Sequence, residues 1–172
     1  MAEASTTQDS PFWRFSLGFY RQTGVSQACI DLQDQAGVDV NILLFLLWNA
    51  TLKRTLSKDT VEEVEAKTGP WRDATVVPIR ALRRALRTPP PAVATGAAEA
   101  FRTRIKGVEL EAERLQQQTM FELASSLAFT SAASPLEAAR SSVAAYQATC
   151  PRSFPPAAVA TILAAFDGHT RA

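Results

Sequence analysis

The chain has one histidine, His169, the fourth residue from its end and in an expected tail, and two cysteines, Cys29 and Cys150, that stand far apart in sequence. With so late a histidine, a Ser-His or Cys-His nucleophilic pair lacks its usual base. No Cys-x-x-C spacing occurs, so a zinc site or a disulfide framework is not expected, and both thiols read as free. Seven glycines are spread thinly and form no phosphate-cradling loop. No segment alternates apolar and polar residues as a half-buried strand does. The start, Met-Ala-Glu-Ala-Ser-Thr-Thr-Gln-Asp, has acids and no apolar stretch, so it does not read as a secretory signal. Residues 1–9 are expected to be disordered. The formal net charge is only +1, which argues against a general polyanion or membrane-surface binder. A reducing cytoplasm is the simplest compartment.

What the chain does have is one run of grease. From Ile42 to Trp48 every residue is apolar, and a helix apolar all round is normally buried on all sides. The run is far shorter than the ~20 residues that span a bilayer. Asp39 before it and Lys53-Arg54 after it have the right signs for helix ends. Residues 38–52 therefore read as the central helix of an all-α bundle, with Asp39 as N-cap. The expected architecture is an orthogonal or irregular bundle of six to seven helices in one domain spanning 1–172. Its core would be residues 11–128, with a C-terminal helical pair at 134–168 packed on the central helix.

Start and stop signals place the other helices. Ser10-Pro11 opens an aromatic helix in which Phe12, Phe15 and Phe19 form one stripe and Trp13, Leu17 and Tyr20 the next. Core filling is the ordinary use of such a helix, and lining a ligand pocket the rarer one. Gly24 is expected to end it. Val25 to Ala36 should bury Val25, Ala28, Cys29 and Leu32, and Gly37 sits where a C′ glycine belongs. Thr60 and Glu63 have capping-box spacing. A short acidic helix is expected to stop at Thr68-Gly69 and a new one to begin at Pro70-Trp71, with Pro78 kinking or splitting it. Leu82 and Leu86 would then face inward and Arg80, Arg83, Arg84 and Arg87 the other way.

After Pro89-Pro90-Pro91 a long helix is expected over about 95–127. Phe101, Ile105, Val108, Ala112 and Leu115 form its apolar seam at alternating four- and three-residue steps, and Leu110, Phe121, Ala124 and Leu127 widen it toward the C-terminal half. Some thirty helical residues reach ~45 Å, against a ~31 Å diameter for a compact chain of this length. One end should project, or be covered by a second copy. Ser134-Pro135-Leu136-Glu137 is the clearest start signal in the chain.

Several of these stretches together resemble a family of uncharacterised bacterial proteins, a domain of unknown function. They are the aromatic first helix, Ala28-Cys29-Ile30-Asp31-Leu32-Gln33-Asp34, Gly37-Val38-Asp39-Val40-Asn41-Ile42-Leu43-Leu44, Trp71 to Arg84, and Glu109-Leu110-Glu111-Ala112-Glu113-Arg114. The resemblance covers roughly residues 11–128. It implies a small soluble bacterial protein, and brings no activity, cofactor or catalytic residue.

Two features remain as candidate chemistry. From residue 71 to 106 there are eight basic residues and two acids, and Arg80, Arg83, Arg84 and Arg87 share one helix face. Such a face can meet a protein partner or a polyanion such as RNA, or be neutralised within the fold by the Glu109–Glu113 face. The second feature is a set of polar residues, Asp31, Asp34, Asn41, Glu109 and Glu113. The two acidic pairs are spaced to share a helix face, as in carboxylate metal sites of helical bundles, but the histidines of such sites are missing. No catalytic residue, resident metal or cofactor is assigned. Three functions stay open: a non-enzymatic protein-interaction or adaptor protein, with a homodimer through the long helix as one form; a nucleic-acid or ribosome-associated factor using the arginines; and a small-molecule or carboxylate-metal binder. None of them involves a membrane.

Overall fold

The computed structural model describes residues 9–171. Asp9 apart, the disorder expected of residues 1–9 lies outside the described residues. The chain is all-α: α1 (Pro11–Tyr20), α2 (Val25–Ala36), α3 (Val40–Thr51), α4 (Lys58–Trp71), α5 (Val77–Ala85), α6 (Thr95–Leu123), α7 (Pro135–Gln147) and α8 (Pro156–Arg171). Two dipeptides, β1 (Arg54–Thr55) and β2 (Thr130–Ser131), pair antiparallel. They are too short to show a period in sequence.

Helix α3 is the axis of the core. Asp39 caps it, accepting from Asn41 N at 2.8 Å. Every residue from Asn41 to Leu47 is buried, and Trp48 is half-buried. Phe12 meets Phe45 edge-on at 5.4 Å between ring centroids. Fully burying each such side chain contributes on the order of 1.5–3 kcal/mol. Within this grease Asn49 turns its amide back to Phe45 O at 2.9 Å. Helix α7 packs on α3 as expected, but α8 packs along α2 instead. That helix also runs through Gly168 to Arg171. His169 is therefore on a helix, not in a tail, with its ring 5.5 Å from Phe15 and its Nδ1 2.8 Å from Gln22 Nε2.

Local signals explain most ends and mislead at a few. Ser10 and Ser134 accept from the backbone three residues on, each ahead of a proline. Gly37 closes α2 with φ 75 and an N–H bonded to Gln33 O. Gly24, expected to end α1, instead precedes α2 as its N-cap, at φ 82. Ser57, one turn before the expected capping box, caps α4.

The largest departure is the rod from Lys58 to Ala85. Neither Thr68-Gly69 nor Pro70 breaks it, and Pro78 does not split it. A π turn over Arg72–Val76 joins α4 to α5, closed by Val77 N–H on Arg72 O. A proline ring clashes with the carbonyl four residues back. For Pro78 that carbonyl belongs to Ala74, inside the π turn, where the wider spacing makes room. Counted with this rod as one, the described residues form seven rods. Helix α6 stops at Leu123, four residues before the expected end, and before Glu109 it buries only Ala98.

Candidate functional site

The seam assigned to α6 from its sequence is only in part its buried face: Ala112, and the widening residues Ala124 and Leu127 beyond the helix end, are buried, but its larger members are not. Phe101, Val108 and Leu115 are 42%, 52% and 41% exposed. The buried residues from mid-helix on are Glu109, Ala112, Gln116, Gln117 and Met120. The same inversion holds across the way. Leu82, expected inside, is 45% exposed, whereas Arg80 and Arg83 point at α6. The cause is charge pairing. Arg80 Nε donates to Glu109 Oε1 at 3.0 Å and its NH2 to Glu113 Oε1 at 2.7 Å. Arg83 donates through both Nε and NH2 to Glu109. Arg80 also reaches Gln33 Oε1 at 2.6 Å, and Arg84 reaches Asp34 Oδ1 at 3.1 Å, both on α2. Trp71 pins the π-turned rod to α6 through Nε1 on Ala112 O, at 3.0 Å.

These pairs form one wall of a cleft of about 520 Å³, within the size range of small-molecule sites. Helix α1 gives it Trp13, Ser16, Leu17 and Tyr20, one face at i, i+3, i+4, i+7. Helix α6 gives Lys106, Glu109, Leu110, Glu113 and Gln117, again one face. Ile30, Gln33 and Asp34 come from α2, and Val40, Asn41 and Leu44 from α3. Arg80, Arg83, Arg84 and Arg87 complete it, with Arg21 at the edge. The second stripe of the aromatic helix thus lines a pocket while the first fills the core.

Of the residues singled out from sequence, all four arginines, Asp34, Asn41, Glu109 and Glu113 meet here. Asp31 does not; it accepts from Gln27 one turn back. Among the described residues no group of three or more His, Cys, Asp or Glu is placed to hold a metal ion. The carboxylates of Glu109 and Glu113 are taken up by arginines.

Charge environment separates the two acids. Burial alone would raise the Glu109 carboxyl, but hydrogen bonds from Arg83 and Arg80 outweigh it and hold the group below its usual range. Burial pushes Glu113 up, and its neighbour Glu109 adds to that, against a single arginine. Burial likewise raises the Tyr20 phenol in the opposite wall.

The floor of the cleft carries a polar chain that sequence reasoning missed. Asp39 Oδ2 accepts from Gln116 Nε2 at 2.7 Å, and Arg72 lies 3.4 Å away. Gln116 Oε1 accepts from Asn41 Nδ2 at 2.7 Å, and Asn41 Oδ1 from Gln117 Nε2 at 2.8 Å. There the chain ends: Gln117 Oε1 has no partner, and neither has Ser16 Oγ. Both residues are almost wholly buried, at 2% and 3% exposure, and both line the cleft. Buried polar atoms are ordinarily satisfied; of the three without a partner among the described residues, Asn49 Oδ1 lies away from the cleft and the other two belong to residues that line it, which points to a place for polar contact. The signal in sequence was Gln116-Gln117, at helical spacing from Glu109 and Glu113.

Every lining residue falls between Trp13 and Gln117. No curated protein and no solved structure matches the chain. A family model does, over residues 11–120, a stretch that contains the whole cleft. The chain belongs to the family described as Protein of unknown function (DUF2390).

Proposed function

We propose that this protein binds a small amphipathic anion, non-covalently, in the cleft between α1, α2, α3, α5 and α6. The observation that carries the reading is the pair of orphaned, buried polar atoms, Gln117 Oε1 and Ser16 Oγ, on the cleft floor. The walls say what surrounds them. Trp13, Leu17, Ile30, Val40, Leu44 and Leu110 are apolar, and six cationic liners face three acidic ones. That surplus suits an anion with an apolar body. A bare arginine face for nucleic acid has less support, because Arg80, Arg83 and Arg84 are already matched inside the fold.

Among the described residues no helix is long and apolar enough to cross a membrane. With two free cysteines, the bacterial cytoplasm is the compartment we assign. The test uses anilinonaphthalene sulfonate, an apolar ring system with one negative charge. The native protein should bind it saturably, one per chain, and Leu17→Trp, which fills the cleft, should abolish this. Binding that survives Leu17→Trp, or is absent from the native protein, would sink the proposal.

One observation favours a second reading, a protein partner in the form of another copy of this chain. Phe101, Ile105, Val108, Ala112 and Leu115 keep the alternating spacing of a coiled-coil seam, and three of the five are well exposed. Val108→Glu should then convert a dimer to a monomer in light scattering. A wild-type chain that is monomeric at high concentration removes this reading.

A further inference from the structure

The chain of amides beneath the cleft has a direction, and one residue sets it. An ionised carboxylate only accepts hydrogen bonds, whereas a side-chain amide has a donating end and an accepting end. Asp39 accepts from the backbone N–H of Asn41 and lies near Arg72. It therefore obliges Gln116 to turn its Nε2 inward. Gln116 Oε1 is left to accept, so Asn41 must present Nδ2 to it. Asn41 Oδ1 is then left to accept, so Gln117 must present Nε2. Each amide is oriented by the one before it, and the last oxygen, Gln117 Oε1, is left without a donor on a residue that lines the cleft. The buried floor thus asks for a donor. Rotating any single amide in the chain would set two oxygens or two N–H groups against each other, which buried networks do not tolerate.

The rim asks for the opposite charge. Arg21, Arg87 and Lys106 are exposed liners. Among the described residues none of the three has a carboxylate within 4.0 Å, whereas Arg80, Arg83 and Arg84 all do. Between floor and rim the walls are Trp13, Leu17, Val40, Leu44 and Leu110.

We propose that the cleft selects an apolar carboxylic acid that carries a hydroxyl or N–H donor at the end away from its acid group. The donor is read by Gln117 Oε1, whose orientation is imposed by Asp39 through Gln116 and Asn41, and the acid is held by Arg21, Arg87 and Lys106. The inference rests on the proposed binding function and adds to it a chemical polarity. Gln117 is the specificity-determining residue; Asp39 is a positioning residue that acts through the relay without touching the ligand.

The relay can be reversed by one substitution. In Asp39→Asn the new amide keeps an oxygen for capping Asn41 N–H, and asparagine is as good an N-cap as aspartate. Its nitrogen now donates to Gln116 Oε1. Gln116 then donates to Asn41, Asn41 to Gln117, and Gln117 turns Nε2 toward the cleft. Arg72 retains Glu65 at 2.7 Å and Asp73 at 2.9 Å. A floor that asked for a donor now asks for an acceptor.

The experiment is calorimetric titration with decanoate, 9-hydroxydecanoate and 9-oxodecanoate. On the wild-type protein the hydroxy acid should bind tighter than the oxo acid by about tenfold or more, the effect of leaving a buried acceptor unpaired. On Asp39→Asn the preference should disappear or invert. On Gln117→Leu it should disappear while decanoate still binds. Arg87→Ala should weaken all three acids alike. If none of the acids binds the wild-type protein, the cleft reading itself falls. If they bind without distinguishing hydroxyl from ketone, the cleft stands and the donor preference is wrong. If Asp39→Asn keeps the wild-type order, the relay is wrong. Should Asp39→Asn fail to fold, Gln117→Leu decides, since a wild-type preference retained there removes the proposal.

Discussion

Arg80 donates through Nε to Glu109 Oε1 at 3.0 Å, and with that contact the basic face of α5 becomes an inside face. Glu109 is 5% exposed and is held by two arginines from a single helix. A carboxylate buried to that depth needs them, and the arginines need it. The consequence runs outward: with its arginines turned in, α5 buries no residue at all and leaves Leu82 on the surface.

Substituting the two acids should therefore give unequal results. Glu109→Gln leaves Arg80 and Arg83 facing each other with a charge removed, and breaking a buried pair costs about 3 kcal/mol or more. Glu113→Gln keeps the oxygen that accepts from Arg80 and removes a carboxylate whose ionisation burial opposes. It should be neutral or stabilising near pH 7. Urea denaturation of both variants measures this, and equal destabilisation would contradict the assignment.

The same acids predict a pH profile. Glu113 has a folded-state pKa raised above 4.5. Its stabilising contribution is complete below 4.5 and is lost as pH rises through the raised value. Glu109 is lowered from 4.5. Its contribution is complete above 4.5 and is lost as pH falls through the lowered value. The melting temperature of Glu113→Gln minus that of wild type should grow as pH rises from about 4.5 toward neutrality. A difference that is flat or shrinks over that window would reverse the sign of the Glu113 shift.

The central helix was legible in sequence because its evidence is one-dimensional: an unbroken apolar run with Asp39 at one end and cations at the other. Ser10-Pro11, Gly37 and Ser134-Pro135 were legible for the same reason, since a cap acts over three or four residues. The faces of α5 and α6 were not. Both helices carry an apolar stripe and a charged stripe, and hydrophobicity alone sends the apolar one inward. Here opposite charges on two helices bury each other, a pairing visible only once Arg80 and Glu113, thirty-three positions apart, meet. The arginines, Asp34, Asn41, Glu109 and Glu113 were picked out as separate features, but their convergence on one cleft depends on α1, whose aromatic residues do not announce which stripe stays partly open.

The two left-handed glycines should respond differently to alanine. Both have positive φ, 82 at Gly24 and 75 at Gly37, which costs a side chain about 1–2 kcal/mol. At Gly37 a Cβ meets nothing nearer than Arg152 NH2 at 3.8 Å, the far end of a flexible chain. At Gly24 it meets Thr161 Cγ2 at 3.1 Å, where α8 lies on α2. Gly24→Ala should therefore cost more than Gly37→Ala in thermal melts, and Thr161→Ser should recover the excess. Equal losses would mean that α8 yields freely.

Tyr146, on α7, supports the relay from outside the matched stretch. Its hydroxyl accepts from Asp39 N–H at 2.8 Å, in a site where burial raises the phenol well above its usual range and so keeps it neutral. In Tyr146→Phe that N–H loses its partner while the ring still meets Phe154, 5.6 Å away. An orphaned buried donor costs about 1–3 kcal/mol. The loss should appear as lower stability and as faster hydrogen exchange at Asn41 and its neighbours at the start of α3, where Asp39 serves as cap. Exchange that quickens only in α7 would show that the hydroxyl serves α7 alone.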